Sequence, residues 1–202
     1  MNHILKSISF IFHPIIMPLL GVIFYFSKSP RFIPKEIIQA KLISISILTV
    51  ILPILIYYLL KTIGKTNSIY LKTAKERILP LGLNCIIIYL IVKRVFPPGE
   101  IVELYYFFIG ILLSNLTCFI LAILKFKASI HMIAISGVFM FYIALSIHFG
   151  ININGTLAIM AILTGAIATS RLHLQAHNYV ELIAGFCIGL IPQLTLLNYW
   201  LH

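Results

Sequence analysis

Between Ser170 and Glu181 the chain reads Ser-Arg-Leu-His-Leu-Gln-Ala-His-Asn-Tyr-Val-Glu, a polar island between two long apolar runs. It gathers an arginine, two histidines and the only acidic residue after Glu103. Ionisable side chains resist leaving water, so a group of them at an apolar boundary is costly to keep. Glu181 follows His177 by four residues, a spacing that puts both on one face if the following run is helical. A carboxylate there accepts the N–H of one imidazole nitrogen and leaves the other unprotonated and aimed outward. Arg171, six residues ahead of His177, offers a planar fork of donors that matches phosphate oxygens. The chemistry this pattern predicts is attack by an oriented imidazole beside an anion clamp.

A second group, Lys-Phe-Lys-Ala-Ser-Ile-His from Lys125 to His131, leads directly into an apolar run. Ser129 and His131 therefore fall near a helix N-terminus, where backbone N–H groups and the positive dipole end favour an anion. A third, basic group runs from Lys72 through Lys75 to Arg77.

These spacings resemble the type 2 phosphatidic acid phosphatases, a family of integral membrane lipid phosphatases. Ser170, Arg171, His177 and Glu181 match its third signature, with Glu where the family usually has Asp. Its second signature reads Pro-Ser-Gly-His; Ser129 and His131 keep two of the positions, with Ala128 and Ile130 at the others. The first signature, a lysine followed after six residues by Arg-Pro, is absent: counted back from Arg77, Tyr70 stands at the lysine position, and Ile78 follows the arginine. Lys127 stands where it could replace the missing lysine charge, and Arg77 could serve as the second arginine, with Lys72, Lys75 and Lys125 behind them. The resemblance implies that His177 is the nucleophile that becomes phosphorylated and Glu181 the residue that orients it. It implies His131 as general acid, and Arg171, Ser170 and Ser129 as phosphate ligands. Residues 125–190 would form the phosphatase-like core, needing no cofactor. The substrate would be a lipid phosphate or polyprenyl diphosphate in a bacterial plasma membrane, where the family works more often on the outer side.

Groups so dispersed need a scaffold that brings them together. Of 202 residues, 61% are hydrophobic and only 10% charged, with a mean hydropathy of +1.07. This composition predicts an all-α protein, a polytopic transmembrane bundle of about six to seven spans forming one domain over 1–202. Long continuous apolar runs, rather than alternation, disfavour a closed β-barrel. Seven runs can be drawn, at 8–26, 42–60, 78–96, 103–124, 132–149, 155–169 and 178–200. The sixth is short for a bilayer core, and Ser27 to Lys41 reads as a solvated basic loop. Tyr57, Tyr58, Tyr105, Tyr106, Tyr199 and Trp200 lie near run ends, as interfacial anchors do. The formal charge of +10 sits in short connections, which favours anionic headgroups over nucleic acid as partners. Cys85, Cys118 and Cys187 are scattered within apolar runs and read as small fillers, not a disulfide framework.

Crossing parity connects the groups. Two spans separate Arg77 from Lys125, and two more separate His131 from Ser170, so all three groups should meet at one membrane face.

The same residues admit other readings. His177 with Glu181 could be a buried pair that holds helices together. His131, His173, His177 and Glu181 could in principle bind zinc, although the chain has no aspartate and no paired-histidine helix motif. His173 is a rival nucleophile without an acid four residues on; His13 and His148 read as structural. Asn84, Ser114, Asn115 and Thr117 should bond across helices. A non-catalytic protein that binds or transports a lipid phosphate is the competing function, while clustering of charge at one face argues against a channel. Lysines and arginines divide evenly between the two faces once the candidate site residues are set apart, so they do not orient the chain.

Overall fold

The structure is a computed structural model that describes residues 2–64 and 73–201. Among these the regular elements are all helical: α1 (Asn2–Ile11), α2 (Met17–Lys28), α3 (Lys35–Ile45), α4 (Leu52–Thr62), α5 (Ala74–Leu90), α6 (Val102–Ile123), α7 (Ile130–Phe149), α8 (Asn154–His173) and α9 (Tyr179–Leu196). A π-helical turn, Ser46–Ile51, joins α3 to α4 without interrupting the rod, and another, Ile91–Val95, extends α5. Seven helical stretches are long and apolar enough to cross a membrane. The chain is an integral membrane protein of the polytopic helical class.

Six of the seven expected spans fall within a few residues of those observed; two local expectations need correction. The second span begins at Lys35 rather than near 42, because Pro34 caps the helix and Glu36 in its first turn favours the positive dipole end. The sixth runs the full 20 residues from Asn154 to His173, carrying Ser170 and Arg171 inside its last turn.

Helix α7 is the central element, packed by α2, α8 and α9, with Ile135, Phe141 and Leu145 almost fully covered. Large aliphatic side chains such as Ile43, Leu59, Ile120 and Ile162 point outward, as expected where lipid is the solvent. Packing in lipid relies on close backbone approach and on polar contacts. Gly185 and Gly189 of α9 supply the first. A methyl group on Gly185 would stand 2.7 Å from the Ser129 carbonyl oxygen, and one on Gly189 would overlap the Ile133 carbonyl. The second comes from α6, where the Ser114 hydroxyl reaches the Ile188 carbonyl at 2.9 Å and Gln193 donates to the Phe107 carbonyl at 3.0 Å. Thr117, expected to bond across helices, instead donates to Leu113 in its own helix.

The bundle is tied at the face away from the predicted site by Glu103, which is completely buried. Its carboxylate accepts from Arg31 at 2.7 Å, His148 at 3.1 Å and Tyr25 at 3.2 Å. Two helix ends and the α2–α3 connection thus converge on one carboxylate, which bears out the structural reading of His148. Replacing Glu103 with alanine should cost about 3 kcal/mol, since it strands two buried donors beside a partly exposed arginine. A lowered melting temperature in detergent would report the loss. Glu103→Gln should lose less, because an amide oxygen still accepts from Tyr25.

Candidate functional site

Three chain segments deliver the predicted residues to the opposite face. The α8–α9 connection turns at Gln175, and the α6–α7 connection turns at Lys125. Both residues adopt left-handed backbone, with φ of 50° and 64°. Non-glycine residues hold such angles at a cost of about 1–2 kcal/mol each. That strain lies in the two segments that carry His177 and Lys127.

Helix α9 starts at Tyr179, so His177 precedes the helix instead of sharing a face with Glu181, as its spacing predicts. The pairing arises from capping. The Asn178 side chain accepts the Glu181 backbone N–H at 2.9 Å, and the Glu181 carboxylate accepts the Asn178 backbone N–H at 3.3 Å. This reciprocal box bends Glu181 back over the helix start. The same carboxylate oxygen takes the Nδ1 proton of His177 at 2.7 Å. Because a carboxylate only accepts, the imidazole proton sits on Nδ1, and Nε2 is left with its lone pair. The His177 side chain is only 2% exposed, so that nitrogen faces protein and not bulk water.

Two hydrogen bonds lock the three groups in register. The Ser129 backbone N–H donates to the Glu181 carbonyl at 3.1 Å, joining the second group to the third. Arg77 Nη1 donates to the Ala128 carbonyl at 2.9 Å, joining the first to the second. Arg77 and Arg171 are both buried, and the charge of Arg171 acts on Arg77 and on His131. Lys127 lies half-buried with its charge acting on His177. Across residues 73–77, 125–131 and 170–181 five Lys and Arg stand against two Glu, an excess suited to an anion. Burial holds the His177 imidazole well below its ordinary pKa, with the Arg77 guanidinium and the Lys127 ammonium adding to the effect and Glu181 opposing it.

Ser129 is fully buried at the N-terminus of α7, and its hydroxyl has no hydrogen-bond partner among the described residues. Ser170 is placed differently from the expectation that it binds phosphate. Its hydroxyl donates to the Leu5 carbonyl at 2.6 Å and meets the Ser9 hydroxyl, also at 2.6 Å. Its single proton is thereby committed to α1. His131 is likewise held by α1, with Nε2 at 3.2 Å from the Ser9 carbonyl. A carbonyl can only accept, so Nε2 carries a proton and Nδ1 is the atom that gains or loses the second one. His173 is exposed at the end of α8, Lys75 and Lys125 are exposed nearby, and Lys72 lies outside the described residues. Among the described residues, no three His, Cys, Asp or Glu side chains converge as metal ligands would.

Sequence reasoning misses three contributors. Ser9 supplies a hydroxyl and a carbonyl, and nothing in its apolar surroundings marks it. His13, expected to be structural, stands edge-on to His131, ring centroids 5.6 Å apart, where the first span breaks at Pro14. The third is the Asn178-to-Glu181 capping box, which does leave a signal: Asn-x-x-Glu ahead of an apolar run. Comparisons with protein-family models, with curated proteins and with solved structures found no match to this chain.

Proposed function

We propose that this protein is a membrane phosphatase that hydrolyses a lipid phosphate or polyprenyl diphosphate through a phosphohistidine on His177. The observation that carries the reading is the His177–Glu181 pair, with a deprotonated Nε2, set among Arg77, Lys127 and Arg171 at one end of the bundle. Phosphoryl transfer demands little covalent chemistry from a protein beyond positioning and charge stabilisation. The Nε2 lone pair attacks phosphorus while the bond to the leaving oxygen breaks. His131, entering the step as the imidazolium, gives that oxygen its Nδ1 proton while its Nε2–H stays on the Ser9 carbonyl. Water then cleaves the nitrogen–phosphorus bond, returning its proton to His131 and releasing inorganic phosphate. Glu181 stabilises the imidazolium character that develops on His177. A bacterial plasma membrane as the setting rests on the family resemblance alone.

A phosphate-release screen of the purified protein over phosphatidic acid, phosphatidylglycerol phosphate, a polyprenyl diphosphate and a lipid A phosphate tests it, with a chelator present. Turnover of at least one, inhibited by vanadate, is the expected result.

The depressed pKa of His177 gives the pH profile a sign. A nucleophile that titrates at its ordinary value would lose activity as pH falls through about 6.5. Here the neutral form persists to lower pH, so the acid limb of kcat/KM should lie below that value. An acid limb at or above the ordinary value would contradict this environment.

A second reading rests on α1. Carbonyls of Leu5 and Ser9 engage Ser170, expected from its spacing to bind phosphate, and His131, the general acid of the mechanism. A protein that binds lipid phosphate without releasing phosphate would keep them so engaged. Saturable binding with no turnover across the screen would favour it.

A further inference from the structure

Helices α8 and α9 are consecutive and joined by a short connection, an arrangement that usually packs as an antiparallel hairpin. They do not pack so here. Helix α8 lies on α1 and α7, α9 lies on α6 and α7, and the two barely touch each other. The gap between them is floored by α7 and forms a groove of about 280 Å³ with a wholly apolar lining. Met132, Ala168, Leu172, Leu182, Ile183 and Phe186 line it, together with Tyr179 from the first turn of α9.

What separates this groove from any crevice on a lipid-facing surface is where its upper end lies. Met132, Leu172 and Leu182 adjoin His131, Arg171 and Glu181 in sequence, so the lining begins where the cationic cluster ends. From Glu181 to Phe186 the helix descends about 8 Å toward the bilayer interior. A chain whose phosphate met Arg77, Arg171 and Lys127 would run its first carbons along that stretch. The volume falls just under the ~300 Å³ at which pockets for whole small molecules begin. It suits a segment of one chain.

Resting on the reading that the cluster holds a lipid phosphate, we propose that the α8–α9 groove receives the proximal part of one hydrocarbon chain of that lipid, which enters sideways from the leaflet on the site's side. Charge and apolar surface are complementary to the two ends of such a molecule. The substrate class is a membrane-resident lipid phosphate presented chain-first to the α8–α9 gap.

The test uses the full chain in a bilayer nanodisc with a lipid phosphate that bears a photoactivatable diazirine near the phosphate end of its chain. Cross-links read by mass spectrometry should map to Leu182, Ile183 or Phe186 and to Ala168 or Leu172. Labelling should fall about tenfold under a tenfold excess of unlabelled lipid phosphate over its dissociation constant, and should be unaffected by the matching phosphate-free alcohol. Ala168→Phe, which fills the groove, should reduce it by a similar factor while leaving hydrolysis of a short, water-soluble phosphate ester unchanged. Labelling of these residues that the alcohol displaces equally well would mean contact with bulk lipid only, and would overturn the proposal. So would phosphate-specific labelling elsewhere on the bundle, and phosphate release would then stand without the groove. Specific labelling in the groove with no phosphate release would uphold the groove and remove the hydrolase reading. The competition is read on the unmodified chain, so it decides the matter even where Ala168→Phe fails to fold.

Discussion

Replacing His177 with alanine should lower phosphate release by at least about 10⁴-fold, because removal of a covalent nucleophile takes away the only route through the intermediate. The protein should still fold. His177 precedes α9 and contributes no main-chain bond to it, while Asn178 and Glu181 cap the helix without its help. The melting temperature in detergent should therefore change little, which separates loss of chemistry from loss of structure. A phosphoryl group trapped on the wild-type protein during turnover should be acid-labile and absent from the variant. Glu181→Gln should behave differently. Its amide oxygen can still accept the Nδ1 proton, but the negative charge beside the developing imidazolium is gone, so turnover falls while some phosphoenzyme persists. Undiminished release by His177→Ala would assign the nucleophile elsewhere.

How far the sequence anticipates this arrangement depends on what kind of signal each residue carries. The spans are legible because hydrophobic transfer acts residue by residue, and a run of about 20 apolar residues has few alternatives to crossing. Parity then requires Arg77, Ser129, His131 and His177 to share a face, and the Ser129–Glu181 and Arg77–Ala128 bonds join those segments directly. The role of α1 is not legible. Ser9 reaches Ser170 across 161 positions, a contact set by how the first span breaks at His13 and Pro14 and lays α1 on α8 rather than by any local pattern. Ser170 illustrates the difference. Its spacing to Arg171 and His177 fits a phosphate ligand, yet the hydroxyl direction is decided by a neighbour that spacing cannot see. The Glu181 geometry lies between the two cases: spacing identifies the correct pair, but a shared helix face is the wrong cause, and the capping box is the right one.

Gly185→Leu should be as damaging to activity as loss of a site residue, although no atom of Gly185 does chemistry. Even the first carbon of a side chain there would lie 2.7 Å from the Ser129 carbonyl, 3.1 Å from Met132 Cβ and 3.2 Å from the Ser129 nitrogen. The nearest of these is backbone at the start of α7 and cannot swing aside, so α9 itself has to move. The first bond to stretch is Ser129 N–H to the Glu181 carbonyl, the link that sets His177 and Glu181 against Arg77 on α5 and Lys127 just ahead of α7. A displacement near 1 Å in such a site costs about 10²-fold in rate, and larger displacements cost more. Overpacking should also lower stability by about 1–3 kcal/mol. The variant is thus expected to lose both melting temperature and turnover, whereas His177→Ala loses turnover alone. Gly185→Ala, which carries only the clashing carbon, should fall between wild type and leucine on both measures. Full activity in Gly185→Leu at a reduced melting temperature would show that the register between α7 and α9 is a matter of stability only, and that the site tolerates slack where close backbone contact implies it has none.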